Sequence, residues 1–280
     1  MGLGSETTWL HREAGRREAG RSGPPPGIAR LPERPRPSAP ATRAEIEPIR
    51  SLASSRVHRK VILAHASEPE WEKQHYFSIE RYRLLCTRVL QVARNLKTQV
   101  FLMASAIAEE GKTLTTANLA YALSALEGKR TLLLDLDLRR PSLRQLLGAE
   151  PAPEEPLFLE YGDWQTHLWQ LRPNLHALIA ARPAARPDEL LQSEATRLLI
   201  EQARRHYDYV LIDSAPLLLA VDTHVLLPMV DHALLVVRAD YTPIACTQDA
   251  LRALGDKALG CVLNDVRKVK YEDYYRAYYR

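Results

Sequence analysis

The stretch QVFLMASAIAEEGKTLTTAN, residues 99–118, decides the fold of this chain. An apolar run typical of a buried strand leads into a loop that ends in Gly-Lys-Thr and then into a helical sequence. A helix beginning at Lys112 directs unpaired backbone N–H groups and the positive end of its dipole at the loop. A polyphosphate binds well there, with the Lys112 ammonium on its terminal phosphates and the Thr113 hydroxyl on Mg²⁺. The stretch therefore predicts a nucleotide-binding loop, with an ordinary strand-turn-helix as the alternative.

This loop meets the phosphate-binding consensus only in part. Glycine is expected six residues before the lysine, and Ala106 stands there, so that Gly111 is the one loop glycine that remains.

Carboxylates follow two further apolar strands. Residues 130–140, RTLLLDLDLRR, predict a buried parallel strand followed by Asp135 and Asp137, and residues 207–213, YDYVLID, predict another that ends at Asp213. Like charges this close cost free energy unless a cation neutralises them, and ligands of open α/β sheets bind at the carboxyl ends of the strands. Each aspartate taken singly reads as a turn or cap residue, but together with the loop they predict a metal-dependent nucleotide site.

These segments resemble the motifs of a known family, the cytoplasmic bacterial tyrosine kinases of exopolysaccharide and capsule synthesis. Its modified Walker A loop resembles SAIAEEGKT (residues 105–113), its second aspartate motif LLLDLDLR (132–139) and its Walker B strand VLIDSAP (210–216). The resemblance extends from about residue 78 to the C-terminus. It implies an α/β fold with a doubly wound, mainly parallel sheet of the P-loop NTPase type, and ATP and Mg²⁺ as cofactors.

The resemblance also implies roles for individual residues. Asp135 is the candidate to accept or orient the proton of the incoming tyrosine, while Arg139 stabilises charge at the acceptor or braces the carboxylates. Asn264, at the end of the last strand, faces the adenine ring, with a plain turn asparagine as the alternative. The ATP-binding set is Ala108, Glu109, Glu110, Gly111, Lys112, Thr113, Leu114 and Asn264; the metal set is Thr113, Asp137 and Asp213; the catalytic set is Lys112, Asp135, Asp137, Arg139 and Asp213.

The loop departs from the family pattern at two positions. The family usually has Pro-Gly-Glu-Gly-Lys, and Ala108 and Glu109 replace the first two residues here. Loss of a glycine stiffens the loop, and a carboxylate beside phosphates is unfavourable unless it faces solvent. We therefore expect weakened ATP affinity.

The last ten residues, YEDYYRAYYR, contain five tyrosines at one-face helical spacing. An aromatic stripe packed on the core is one interpretation. The resemblance implies the other, a mobile tail that is the substrate of autophosphorylation in trans between copies of the chain. The predicted phosphoacceptors are Tyr271, Tyr274, Tyr275, Tyr278 and Tyr279.

A helix is predicted over residues 78–96, capped by Ser78. Its predicted apolar face consists of Ile79, Tyr82, Cys86, Val89, Ala93 and Leu96. The family's ring-forming motif, Glu-x-x-Arg-x-x-Arg, is matched by Glu80 and Arg83, whereas Cys86 occupies the third place. A surface ion pair of little energy is the alternative for this pair.

Four domains are predicted. Residues 1–60 form a disordered basic arm with twelve Lys and Arg against six Asp and Glu, and residues 61–77 an irregular lead-in. Residues 78–266 form the kinase domain and residues 267–280 the tail. Within the domain we expect helices over residues 113–126, 143–147, 187–206, 222–230 and 243–254, strands over 175–180, 233–237 and 259–264, and a variable surface excursion over 150–172.

Composition and context complete the prediction. No apolar run reaches the length of a membrane span, and three scattered cysteines suit a reducing compartment. The resemblance implies a cytoplasmic protein held at the inner face of the membrane by a Wzz-like polysaccharide co-polymerase that activates it, and a cognate tyrosine phosphatase. No nucleic-acid partner is expected.

Two other functions remain open. One is a scaffold ATPase of the MinD and ParA kind, although the lysine that those proteins carry early in the loop is replaced by Ile107. The other is a non-catalytic nucleotide-binding regulator of polysaccharide synthesis.

Overall fold

The structure is a computed structural model that describes residues 50–52, 57–92, 99–149, 157–160 and 163–266. The predictions for residues 1–49 and for the tyrosine-rich tail lie outside the described residues. None of the helices within the described ranges combines the length and apolarity that a membrane crossing requires.

The described strands form one eight-stranded sheet in the order β1-β4-β5-β3-β6-β2-β7-β8. Neighbours run parallel except β4 and β5, which are antiparallel. The strands are β1 (Arg50–Ser51), β2 (Gln99–Ser105), β3 (Thr131–Asp135), β4 (Trp169–Arg172), β5 (Leu175–Leu178), β6 (Tyr209–Asp213), β7 (His232–Arg238) and β8 (Ala258–Asn264).

Helices cover both faces of this sheet. They are α1 (Pro69–Val92), α2 (Lys112–Leu123), α3 (Leu143–Leu147), α4 (Pro187–Gln192), α5 (Glu194–His206), α6 (Asp222–Leu226) and α7 (Ile244–Leu254). Strand β2 alternates between two cores, with Val100 and Leu102 packed in the cluster of α4 to α7, and Phe101 and Met103 in that of α1 to α3. A central strand buried on both faces confirms the doubly wound, mainly parallel α/β prediction.

One predicted helix is interrupted, and another is shorter than predicted. The helix predicted over residues 187–206 is broken at Ser193, whose extended backbone and side-chain hydrogen bond to the Thr196 N–H make it the N-cap of α5. The helix predicted over residues 222–230 stops at Leu226 and continues as the 3₁₀ turn Leu227–Met229, which contains Pro228.

The predicted lead-in and helix start are wrong. Residues 62–65 form a 3₁₀ turn, and α1 begins at Pro69 rather than after a Ser78 cap. Proline is well tolerated as a first helical residue, and Glu70 and Glu72 in the first turn complement the helix dipole. The predicted apolar face is confirmed at Ile79, Cys86 and Val89, which are buried, and Tyr82 is half-buried. Its last two members, Ala93 and Leu96, lie outside the described residues.

Residues 150–172 and the end of the basic arm contain more structure than the sequence predicts. Strand β4 pairs with β5 and carries β1 on its other edge, inside the predicted arm. Trp164 and Leu168 are buried, so part of the predicted surface excursion belongs to the core. These elements are too short for a periodic sequence signal, and only tertiary packing orders them.

Residues 57–66, which we call the lead-in strap, are held against α2. The buried Asn118 side chain accepts a hydrogen bond from the Leu63 N–H at 3.1 Å and donates one to the Lys60 carbonyl at 3.3 Å. The Trp71 indole donates to the Ile62 carbonyl at 3.2 Å. The helix that follows the phosphate-binding loop therefore also fixes the path of the strap.

Replacing Asn118 with alanine should lower the free energy of unfolding by about 1–3 kcal/mol, because it leaves buried backbone groups of the strap without partners. Urea denaturation measures the change. Thr87→Ala, on the exposed surface of α1, is the matched control with an expected change below about 0.5 kcal/mol. Equal midpoints for the two variants would contradict this role of Asn118.

Acid should destabilise the fold partly through His176. Burial, assisted by the charge of Arg130, lowers the pKa of His176 to about 4. Between the ordinary pKa of about 6.5 and this value the unfolded chain binds a proton that the folded chain does not, so stability falls as pH falls, by up to about 1.4 kcal/mol per pH unit. Urea denaturation from pH 7 to 4.5 should show a shallower loss for His176→Gln, and parallel curves would contradict the assignment.

Candidate active site

The loop between β2 and α2 contains two residues with left-handed backbone. Gly111 has φ +83°, and a Cβ added to it would lie 2.0 Å from Asn264 Nδ2, so both conformation and space require glycine. Glu109 has φ +63° although it has a side chain, and that side chain is exposed. The replacement of glycine at position 109 thus places a non-glycine residue in an unfavourable conformation.

The ends of β7 and β8 brace one side of the loop. Glu110 is buried, and its carboxylate accepts hydrogen bonds from the Ile107 N–H at 2.7 Å and from the Thr242 hydroxyl. Asn264 donates to the Glu110 carbonyl at 2.9 Å. In this structure Asn264 therefore supports the loop, and its predicted contact with adenine stays a prediction.

Lys112 lies between two of the predicted aspartates. Its ammonium is 2.7 Å from Asp213 Oδ1 and 3.6 Å from Asp137 Oδ2, and its side chain is only 6% exposed. The other Asp213 oxygen accepts a hydrogen bond from the Thr113 hydroxyl at 2.7 Å. Because β2, β3 and β6 are parallel neighbours, their carboxyl ends bring all these groups together at one edge of the sheet.

Asp135 is the most deeply buried member of the group. It pairs in register with Asp213 across β3 and β6, it has no exposed surface, and neither carboxylate oxygen has a hydrogen-bond partner of standard geometry. Burial raises its pKa well above the usual range, and the charges of Asp213 and Asp137 add to the shift. Its predicted contact with an acceptor proton stays a prediction.

Asp137 is less deeply buried than Asp135. Burial raises its pKa, the Lys112 charge opposes that shift and the Asp213 charge adds to it. Its Oδ1 accepts a hydrogen bond from the Arg140 N–H at 3.1 Å, which fixes the carboxylate in the turn after β3.

Arg139 does not bind any of the three predicted aspartates. Its guanidinium instead donates two hydrogen bonds, of 2.9 and 2.8 Å, to the buried carboxylate of Asp222 on α6. Arg139 therefore braces a carboxylate, which is one of its two predicted roles, but it braces Asp222 rather than the predicted aspartates.

A cavity of about 750 Å³ opens in front of the loop. This volume suits a nucleotide. The predicted residues that line it are Ala108, Glu109, Glu110, Gly111, Lys112, Thr113, Leu114, Asp137 and Arg139. Asp135, Asp213 and Asn264 lie behind this wall.

Several polar residues of the site were missed in the sequence. The Thr116 hydroxyl is 3.3 Å from Asp213 Oδ1, and the Ser142 hydroxyl is 3.1 Å from that of Thr113. Thr116 lies one helical turn after Lys112, so helical spacing could have indicated it. Ser142, Asp222 and Thr242 come from distant segments, and no local sequence signal identifies them.

The donor set fits the magnesium ion that the sequence predicts. A threonine hydroxyl and two carboxylates converge at the edge of the cavity, and Mg²⁺ prefers oxygen ligands of this kind together with phosphate oxygens and water. Thr113, Asp137 and Asp213 are the residues that would hold it.

Glu80 and Arg83 form an ion pair of 2.7 Å on the exposed surface of α1, and Arg83 also lies 3.5 Å from Glu72. The predicted part of these residues in oligomerisation stays a prediction.

Comparison with known proteins shows the family of the chain. The family described as the CobQ/CobB/MinD/ParA nucleotide-binding domain matches residues 101–280. The succinoglycan biosynthesis transport protein ExoP of Rhizobium meliloti is 35% identical over 69% of this chain, but the chain spans only 25% of that longer protein.

Two kinases match over more of their own length. The tyrosine-protein kinase CpsD of Streptococcus pneumoniae serotype 4 is 30% identical, over 69% of this chain and 87% of that protein. The kinase domain of the Escherichia coli tyrosine kinase ETK superposes with a TM-score of 0.61 at 25% identity, over 68% of this chain and 77% of that one. The chain therefore belongs to the CobQ/CobB/MinD/ParA nucleotide-binding family and, within it, to the bacterial tyrosine-protein kinases.

Proposed function

We propose that this protein is an ATP- and Mg²⁺-dependent protein-tyrosine kinase that phosphorylates its own C-terminal tyrosine cluster, transferring the terminal phosphoryl group of ATP to a tyrosine hydroxyl. The observation that carries the proposal is that Lys112, Thr113 and Asp137 line a nucleotide-sized cavity, while Asp213, outside the lining, binds both Lys112 and Thr113. A tail with five tyrosines supplies acceptors within the same chain.

In this scheme the protein catalyses the reaction by positioning the reactants and neutralising charge, because phosphoryl transfer requires little covalent chemistry from the protein. The backbone N–H groups of the loop and the Lys112 ammonium hold the β- and γ-phosphates. Thr113, Asp137 and Asp213 would hold Mg²⁺, which would neutralise charge on the phosphate oxygens. Lys112 lies on Asp213 in this structure, so its ammonium turns from that carboxylate towards the phosphates as they arrive.

The acceptor tyrosine enters beside Asp137, the one predicted aspartate that lines the cavity. In this proposal its carboxylate orients the phenol. The charges of Asp213 and Asp137 add to the raised pKa of the buried Asp135, two residues earlier in the chain, so the three carboxylates do not readily ionise together.

The proposed cellular role is control of exopolysaccharide or capsule polymerisation and export. The similarity to a succinoglycan biosynthesis transport protein and to capsule-type kinases supports it. We further propose that a membrane co-polymerase activates the kinase and holds it at the cytoplasmic face of the membrane. Phosphorylation occurs in trans between copies of the chain, and a cognate phosphatase reverses it.

Purified protein should gain phosphate on incubation with Mg²⁺-ATP, as measured by intact mass. Lys112→Met should slow the initial rate about 100-fold or more, because it removes a charge that stabilises the transferred group. A chain with all five tail tyrosines replaced by phenylalanine should gain none. Lys73→Met, at an exposed lysine of α1, is the matched control.

Because loss of Lys112 also leaves Asp213 unpaired, thermal unfolding of the variant must accompany the assay. If ATP binds but no phosphate is gained, even with a membrane co-polymerase present, the kinase proposal fails and a nucleotide-binding regulator replaces it.

Glu109→Gly should bind ATP about two- to fivefold more tightly than the wild type, since glycine relieves the left-handed backbone strain and removes a carboxylate from the cavity wall. Glu109→Gln separates the causes, because it removes only the charge. Titration with a fluorescent ATP analogue measures the three affinities, and equal values would show that position 109 does not weaken binding.

A further inference from the structure

One side of the cavity is formed by elements outside the phosphate-binding loop. Thr242 and Asn264 brace the loop itself and do not line the cavity. The lining includes the turn after β3, α3 and the lead-in strap, whose His58 N–H donates to the Leu146 carbonyl at 2.9 Å. Because Asp137 belongs to that turn, we call this the acceptor side and take it as the path of an acceptor to the terminal phosphate.

Four of the described lysine and arginine residues line the cavity: Lys60, Lys112, Arg139 and Arg140. Lys112 is paired with Asp213, and Arg139 with Asp222. Lys60 and Arg140 are both exposed, and neither forms an ion pair within the described part of the chain. The acceptor side therefore presents two positive charges that no neighbouring carboxylate neutralises.

The strap supports Lys60 firmly. Asn118 binds the Lys60 carbonyl, and the Lys60 N–H donates to His58 Nδ1 at 3.0 Å. Arg140 is anchored through its N–H on Asp137. The backbone of Lys60 is thus hydrogen-bonded to α2, and that of Arg140 to Asp137 in the turn after β3. Neither charge lies on an independent surface segment.

The tail carries one acidic pair among basic residues. Residues 267–280 read RKVKYEDYYRAYYR, in which Glu272 and Asp273 are the only carboxylate side chains. They stand between Tyr271 and Tyr274, whereas Tyr278 and Tyr279 have only arginine as charged neighbours.

We infer that Lys60 and Arg140 are the acceptor-recognition site of this kinase. They bind the Glu272-Asp273 pair of the tail and so direct the adjacent tyrosines, Tyr271 and Tyr274, to the phosphate ahead of Tyr278 and Tyr279. Opposite charges select partner and register in this way even where each exposed pair contributes little energy. The inference rests on the proposed autokinase function and adds to it the choice of tyrosine.

Trypsin separates the two groups of tyrosines, because it cuts after Lys270 and Arg276 and yields YEDYYR and AYYR. The experiment measures, on full-length protein with Mg²⁺-ATP, the ratio of initial phosphorylation per tyrosine of YEDYYR to that of AYYR by mass spectrometry. Division by the number of tyrosines is needed because YEDYYR has three and AYYR two. The ratio is internal to each reaction, so a change in ATP affinity alone does not alter it.

We expect the wild type to favour YEDYYR about fivefold, the size that two exposed ion pairs provide. Lys60→Glu with Arg140→Glu should bring the ratio to about one or below. Arg205→Glu, at an exposed arginine of α5 remote from the cavity lining, should leave it unchanged. Adding Glu272→Lys and Asp273→Lys to the reversed pair should restore the preference, which a misfolded variant would not do. Trypsin also cuts after the two introduced lysines, so the summed phosphate on YK and YYR replaces that on YEDYYR in this variant.

Two results would overturn this inference and leave the proposed autokinase function in place. In one, both peptides are phosphorylated and the ratio is the same in wild type and reversed pair. In the other, both peptides lose phosphate in step with a fall in ATP affinity, which assigns Lys60 and Arg140 to the nucleotide. Absence of phosphate from both wild-type peptides overturns the proposed autokinase function and this inference with it.

Discussion

The buried ion pair between Lys112 and Asp213 is the interaction on which the rest of the site depends. An ammonium and a carboxylate removed from water are costly unless each is paired and hydrogen-bonded. Lys112 meets this condition through Asp213 and Asp137, and Asp213 through the hydroxyls of Thr113 and Thr116. The pair joins the helix after β2 to the end of β6, so it sets the position of the loop relative to the aspartates.

The same edge of the sheet carries more negative charge than the pair neutralises. Asp135 is buried beside Asp213 with no partner of standard geometry, and burial raises its pKa and that of Asp137. Such an arrangement costs stability in the free protein and favours a ligand that brings positive charge. The proposed Mg²⁺ is a ligand of this kind, whereas folding alone gives no reason to bury carboxylates there.

Segments outside the sequence motifs complete the cavity. The lead-in strap contributes Lys60 to its wall, and Asn118, one and a half turns beyond Lys112 on α2, holds that strap in place. A single helix, α2, thus fixes both the end of the loop and the strap. Arg139 and Asp222 similarly tie the aspartate turn to α6, so the wall of the cavity is formed by elements that are far apart in the chain.

By itself, the sequence determined the doubly wound α/β fold, the loop, the three aspartates and the buried face of α1, because apolar periodicity and motif spacing are local properties of the chain. Other features follow only from the tertiary structure. The predicted helix is interrupted at Ser193, α1 begins at Pro69, and β1 and β4 are ordered by pairing with neighbouring strands. Arg139 binds Asp222 rather than the aspartates of its own motif. Which side chains meet depends on strand order and on contacts between residues distant in sequence, and these follow only when the whole core packs.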